Sequence, residues 1–375
     1  MARLAYASMI PMVAALACGT DLRSDDDGQT ATLPSSMTAQ TDESAGDVTS
    51  NTGGPADSSS DGSADGGTKL DVGAGTGNMS AGEGGDMSGC DKVDFLFIVD
   101  NSGSMGDEQS NLINSFPTFI STIQETLDEA QDYHIMVLDS DAYVFSQCEF
   151  LCPVAFNTCI GNPDYECGVT QPMECEDVLG AGVTYPRGGQ ASNEDCDFAT
   201  GARYMDSNQP DLAATFECAA KVGIGSTDDP EKPMEAMVAA VTPNTPAAAC
   251  NEGFIRDDAI LVVTFITDED DAPGDSGGTV EGWRAALIAA KGGDEQAVVV
   301  LGLFGDGDQP GAICPPFNPD AASGAEPSPR LRQFVDSWGD RGIAGSICAE
   351  NYEPFFQDAV SVIDTTCDEF VPPAG

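Results

Sequence analysis

Basic residues are scarce in this sequence. The 375 residues include 14 Lys and Arg against 63 Asp and Glu, a formal net charge of −49. Nucleic-acid binding needs a basic face to replace phosphate counterions, and none can be assembled from so few cations. Histidine is scarcer still: His134 stands alone. It is therefore the sole candidate base for a Ser-His-Asp arrangement, and no Gly-x-Ser-x-Gly nucleophile elbow is assigned to partner it. Beginning a strand beside Tyr133, it reads as a structural histidine. Paired Cys-x-x-Cys knuckles are missing too, which together with one histidine argues against zinc. No particular pair of carboxylates is marked out for glycoside hydrolysis. The chain reads as a non-enzyme.

The first apolar run is short. Met1 to Cys18 carries Arg3 and then Ile10, Val13 and Leu16, too few apolar residues to span a bilayer but the pattern of a signal peptide. It ends Ala15-Leu16-Ala17-Cys18, which resembles a bacterial lipobox. That resemblance implies lipidation at Cys18, a mature chain starting there, and an exported protein anchored in the cell envelope. The membrane would then be touched only through the lipid. Ordinary cleavage and free secretion is the alternative. Thirteen cysteines occur, and setting Cys18 aside leaves an even number between Cys90 and Cys367. In an exported chain an even set reads as a disulfide framework.

Residues 19–89 are Ser, Thr, Gly, Asp and Ala with almost no aromatic or large aliphatic side chains. Such a segment cannot bury enough apolar surface to offset its ordering entropy, so an acidic tether is expected. From Cys90 the pattern changes. Val93-Asp94-Phe95-Leu96-Phe97-Ile98-Val99 reads as a buried strand, running into Asp100-Asn101-Ser102-Gly103-Ser104-Met105. Gly103 is expected to allow the tight turn that follows. A helix is expected over residues 108–130, with Pro117 kinking or dividing it. Residues 134–138 form a second strand, ending Asp139-Ser140-Asp141.

From about 145 to 210 the chain holds Cys148, Cys152, Cys159, Cys167, Cys175 and Cys196 among Pro, Gly, Asn and Asp. This reads as a disulfide-stapled insertion on the edge of the domain. Short helices are expected over 211–221 and 231–241. Ala259 to Ile266 is the clearest later strand, running into Thr267-Asp268-Glu269-Asp270-Asp271. A helix over 280–291, a strand over 297–304, a helix over 330–338, a strand over 342–347 and a helix over 352–366 follow. Strand and helix alternate, so the fold is expected to be α/β. A doubly wound, mostly parallel central sheet would carry helices on both faces, Rossmann-like, in one domain over 90–370.

In such sheets ligands sit beyond the carboxyl ends of the strands. A carboxylate and two hydroxyls at Asp100, Ser102 and Ser104 are hard oxygen ligands of the kind Mg²⁺ prefers. Asp-x-Ser-x-Ser after a buried strand, with a second strand ending Thr267-Asp268, resembles the metal-ion-dependent adhesion site of the von Willebrand factor type A family. The wording of both stretches, with Cys348 and Cys367, is similar to bacterial surface lipoproteins carrying that domain.

The resemblance implies Mg²⁺ (or Mn²⁺ or Ca²⁺) held by Asp100, Ser102, Ser104, Asp268 and a hydroxyl from a second loop. Thr227 is the expected one, with Ser226 as the alternative, ahead of the helix at Pro233. Asp100 is expected to act mainly through water. An open position would take a carboxylate from a protein or surface partner, making the chain an adhesion module. A structural envelope lipoprotein with a degenerate or purely stabilising ion is the alternative. Glu269, Asp270, Asp271 and Asp275 read as a solvated acidic loop, with calcium as the competing use. The topology of such a fold suggests Cys90 with Cys367 and Cys314 with Cys348 as disulfide candidates.

Overall fold

The central strand β1, Lys92–Val99, is buried at every residue after the first. A computed structural model describes it within residues 91–126, 132–141, 174–224, 230–318 and 324–373, all in one unit, Ser80–Gly375. In chain order β1 is followed by α1 (Gly106–Thr126), β2 (Asp132–Asp139), β3 (Met205–Asp206), α2 (Leu212–Ala220), α3 (Pro233–Val241) and α4 (Pro246–Cys250). Then come β4 (Ile260–Ile266), α5 (Val280–Ala290), β5 (Val298–Phe304), α6 (Pro329–Asp336), β6 (Gly342–Ser346) and α7 (Glu353–Glu369). The strands form one sheet in the order β3-β2-β1-β4-β5-β6. All pairings are parallel except β2 with β3. This is the α/β, Rossmann-like architecture expected, in the strand order of a doubly wound sheet.

Period-two geometry explains why β1 is apolar almost throughout. Val93, Phe95, Phe97 and Val99 face one layer, where they pack with Leu112, Phe116 and Ile123 of α1, Phe216 of α2 and Phe356 and Ile363 of α7. Leu96 and Ile98 face the other, with Met234 and Met237 of α3, Trp283 and Leu287 of α5 and Phe334 of α6. A strand covered on both faces cannot alternate with polar residues. Phe116 and Phe216 stack with ring centroids 3.4 Å apart, and Phe97 meets Phe216 edge-on at 5.1 Å. Both tryptophans, Trp283 and Trp338, are buried packing residues of the second layer.

One acid breaks the apolar run. Asp94 is fully buried, and Arg256 answers it: Nε and the backbone N–H each donate to its carboxylate at 2.8 Å. The guanidinium also donates to Asp132 at 2.6 Å, tying β1, β2 and the approach to β4 together at the start of the strands. His134 belongs to the same end, with Nδ1 2.9 Å from the Phe254 carbonyl and its ring 4.4 Å from Tyr204. It packs as a structural histidine.

Three details depart from the sequence reading. Pro117 neither ends nor divides α1, which continues as one helix to Thr126. Its apolar face is locked into the core at Phe116, Phe119, Ile120 and Ile123, so packing outweighs the lost backbone bond. Strand β3 and helix α4 were not foreseen, because elements of two and five residues carry no readable period. β3 lies in the insertion and extends the sheet edge beyond β2, which places that described part of the insertion at the edge.

Two disulfides fasten the described part of the insertion, Cys175–Cys250 to α4 and Cys196–Cys218 to α2. Cys314 and Cys348 are joined, the pairing their positions suggested. Cys367 is disulfide-bonded, whereas Cys90 and Cys18 lie outside the described residues, as do the signal segment and the tether. Among the described residues, no helix is long and apolar enough to cross a membrane.

Candidate functional site

Register brings the two signature loops together. Val99 pairs with Ile266, so Asp100 and Thr267 leave the sheet side by side, with the Asp100 N–H donating to the Ile266 carbonyl at 2.9 Å. Strands β1 and β4 are the neighbours at which the strand order reverses, the crevice where open α/β sheets bind ligands. Asp100 is held from both sides: the Ser102 N–H donates to Oδ1 at 2.7 Å and the Thr267 hydroxyl donates to Oδ2 at 2.6 Å. The Ser102 and Ser104 hydroxyls lie 3.4 Å apart, and Ser102 Oγ is 3.4 Å from Asp268 Oδ1. Four of the expected ligands therefore converge.

Asp268 is fully buried, and its Oδ2 has no hydrogen-bond partner. An orphaned carboxylate oxygen costs heavily unless something meets it. Burial pushes the Asp268 carboxyl up to about 7, helped by repulsion from Asp100 and opposed by the hydroxyls of Ser104 and Ser102. Burial also raises Asp100, against the hydrogen bonds from Thr267 and Ser102. Gly103 is exposed and Ser104 half-buried, so the cluster opens to solvent there. Gly103 itself has no left-handed backbone, and open space surrounds a Cβ built on it, so the turn does not require glycine. The Met105 N–H donates to the Ser102 carbonyl at 3.2 Å and closes the turn.

The loop expected to supply a further hydroxyl is described up to Ile224 and again from Pro230; Ser226 and Thr227 lie between, outside the described residues. Its two flanks are anchored beside Asp100. Gln109, on the first turns of α1, donates from Nε2 to the Asp100 carbonyl at 2.9 Å and to the Gly223 carbonyl at 2.7 Å, while the Gly223 N–H donates to its Oε1 at 3.1 Å. Gly223 has φ +96°, and a Cβ there would meet Ala191 and the Gly189 carbonyl at 2.9 Å, so this close approach needs glycine. On the far flank Glu231 accepts from the Ser140 hydroxyl at 2.5 Å, and burial together with Asp100 and Asp141 raises its carboxyl well above the usual range.

Gln109 was not singled out by sequence, because a glutamine on a helix carries no motif. It is a positioning residue: one amide fastens the first loop to the second. Were the cluster to hold the Mg²⁺ expected from the sequence, Gln109→Ala would weaken its binding about 10- to 100-fold, the usual cost of removing an outer partner of a metal site. Calorimetric Mg²⁺ titration checks this, and Gln109→Glu, which sets a buried carboxylate oxygen against the Asp100 and Gly223 carbonyls, should not rescue it.

The acidic loop after β4 is not a solvated run. Asp271 is fully buried and accepts from the Met234 N–H at the start of α3, from the Ser276 N–H and hydroxyl, and from Arg330. Asp270 accepts from the Arg330 and Leu331 N–H groups at the start of α6. Both carboxylates sit at helix N-termini, where negative charge is favoured. Their side chains serve folding, and calcium is not needed to explain them.

A Gly-x-Ser-x-Gly string does occur, at Gly274-Asp275-Ser276-Gly277-Gly278, so the absence of such an elbow beside His134 needs that correction. Its serine is 97% buried, donates to Asp271 at 2.6 Å and accepts from the Glu235 N–H at 2.9 Å. That hydroxyl is consumed in holding α3, and His134 packs at the opposite end of the strands.

No family model matches this chain, and no curated protein matches it. Among the described residues no group of three or more His, Cys, Asp or Glu side chains is placed to hold a metal ion. The cluster built here is of another kind, two carboxylates with two hydroxyls. Hard oxygen donors around an orphaned Oδ2 fit a hard divalent cation. Both Asp100 oxygens are already hydrogen-bonded inside the protein, which fits a role through water.

Proposed function

We propose that the chain is an adhesion module of the von Willebrand factor type A kind, using Mg²⁺ held by Asp100, Ser102, Ser104, Asp268 and Thr227 (or Ser226). The observation that carries this is the buried, unpartnered Asp268 Oδ2 facing the same crevice as Asp100 and the two serine hydroxyls. A cation so bound supplies a Lewis-acidic position that an outside carboxylate can complete. With few charged ligands, it retains net positive charge on an otherwise acidic protein. The partner is a protein or surface ligand presenting Asp or Glu. On the sequence reading, Cys18 carries the lipid and residues 19–89 hold the domain off the bacterial envelope. Residues 184–193 of the insertion help frame the binding face, since Gln190 approaches Gly106 and Gly189 accepts from the Ile224 N–H.

The immobilised full chain should capture Asp- or Glu-bearing peptides from an array in Mg²⁺ and release them in EDTA. Asp100→Ala should capture none while keeping a native circular dichroism spectrum. Capture that survives EDTA would sink the reading. A second reading, an ion that only stabilises the domain, is favoured by the number of buried acids with raised pKa around the site. It predicts a Mg²⁺-dependent rise in melting temperature with no peptide capture.

A further inference from the structure

At one side of the sheet β6, Gly342–Ser346, runs along β5 with its other edge unpaired. Its sequence, Gly-Ile-Ala-Gly-Ser, has no charged residue and no proline, the usual guards of an open edge against stray pairing. Shortness is the protection it has. On a chain of net charge −49, a charge-free edge stands out.

The ladder shows which backbone groups face outward. The Ile347 N–H donates to the Phe304 carbonyl at 3.1 Å, so Ile347 turns its peptide groups towards β5. These groups alternate along a strand, so Ile343 and Gly345 also face β5, while Gly342, Ala344 and Ser346 face away. The Thr267 N–H bond to the Leu303 carbonyl agrees, since it turns Leu303 towards β4 and Phe304 towards β6. Some of the outward groups are satisfied within the chain. The Gly342 N–H donates to the Gly339 carbonyl, and the Ser346 carbonyl accepts from the Ala349 N–H at 3.3 Å. Left over are the Gly342 carbonyl, both groups of the exposed Ala344, and the Ser346 N–H, which meet no partner among the described residues.

This leftover set is complementary to itself. Two copies of β6 set antiparallel about Ala344 place Ala344 opposite Ala344 and Gly342 opposite Ser346. Residues so opposed exchange hydrogen bonds in an antiparallel ladder. The Ala344 residues bond each other, and each Ser346 N–H meets the Gly342 carbonyl of the other copy. The groups that would face each other beside them, the Gly342 N–H and the Ser346 carbonyl, are already engaged. A foreign strand would offer a carbonyl to that engaged Gly342 N–H and leave it unmatched. Most other faces of so acidic a chain repel their own copies, whereas this ladder opposes no like charges.

We propose that β6 is a self-association edge, at which two copies join their sheets antiparallel about a two-fold axis. Strands β1, β4, β5 and β6 run parallel within each copy, so the joined pair turns its two Asp100–Asp268 crevices to opposite ends. On the adhesion reading such a pair bridges two ligands; the pairing itself does not rest on that reading. A ladder of 5 residues per copy covers less than a standard interface, so the contact is transient.

Sedimentation velocity of the full chain in physiological salt, from about 10 μM to about 1 mM, should show a reversible shift from monomer to dimer. Over that range, hydrogen exchange at the Ala344 and Ser346 amides should slow about tenfold, with Ile343 and Gly345 unchanged. Ala344→Pro removes an N–H that faces away from β5, a place where an edge strand tolerates proline, and should leave a folded monomer. Ala344→Glu keeps the N–H but sets two carboxylates opposite each other, and should also be monomeric. A native chain monomeric throughout, a dimer kept by either folded variant, or dimers whose Ala344 and Ser346 amides exchange as in the monomer, would overturn the proposal.

Discussion

In chelator at pH 8, Asp268→Asn melts at a higher temperature than the native chain, and Mg²⁺ no longer shifts it. Asp268 is fully buried, its Oδ2 is orphaned, and Asp100 repels it. A buried carboxylate left without a compensating charge is destabilising, and asparagine keeps its shape while removing the charge. A gain of about 1 kcal/mol would raise the melting temperature of a domain this size by roughly 2–4 °C. Saturating Mg²⁺ should stabilise the native chain by about 2.7 kcal/mol at one hundred times its dissociation constant, and the variant not at all. Differential scanning calorimetry reads both effects. An Asp268 that served packing alone would give the reverse: a lower melting temperature in chelator and a Mg²⁺ response left intact.

Metal-free protein also loses stability as pH rises from about 4.5 towards about 8. Burial pushes the Glu108 carboxyl up to about 8, with Asp107 and Asp268 adding to it, and its Oε2 has no hydrogen-bond partner. Glu231 and Asp268 are raised as well, again first by burial. Between the unfolded and folded pKa of such a group the native state holds a proton that the unfolded chain has released. Stability is then fully present below the unfolded value and is lost as pH climbs through the folded one. Asp306 acts oppositely: its bonds to the Ile313 and Cys314 N–H groups outweigh burial and lower its pKa. Its contribution is present above the ordinary carboxylate range and fades only in stronger acid, outside this window. Urea midpoints in EDTA should therefore fall from pH 5.5 to pH 8.5. Glu108→Gln should flatten that slope, and Mg²⁺ should offset much of it. A midpoint that climbs with pH contradicts the electrostatics described.

Much of the fold was legible because β1, β4 and β5 are long, largely apolar runs between helical periods, which leaves few alternatives to a covered parallel sheet. The meeting of the loops after β1 and β4 was legible for the same reason, since strand ends fixed where Asp100 and Asp268 had to emerge. What sequence concealed depends on partners distant in the chain. Arg256 answers Asp94 across 162 positions, and Gln109 reaches Gly223 across 114. Asp270 and Asp271 look like surface acids until the helices they stabilise are in place. Gly103, expected to allow the tight turn, takes ordinary backbone, whereas Gly223 beside it in the site is under real constraint.

The most direct measurement is Mn²⁺ binding by the full chain at pH 7.5, followed as loss of the free-ion electron paramagnetic resonance signal and reversed by Mg²⁺. One ion per chain, displaced by Mg²⁺ and lost in Asp100→Ala and Asp268→Asn, is the predicted result. A signal that stays at the free-ion level through millimolar protein, or uptake unchanged by both substitutions, would contradict it.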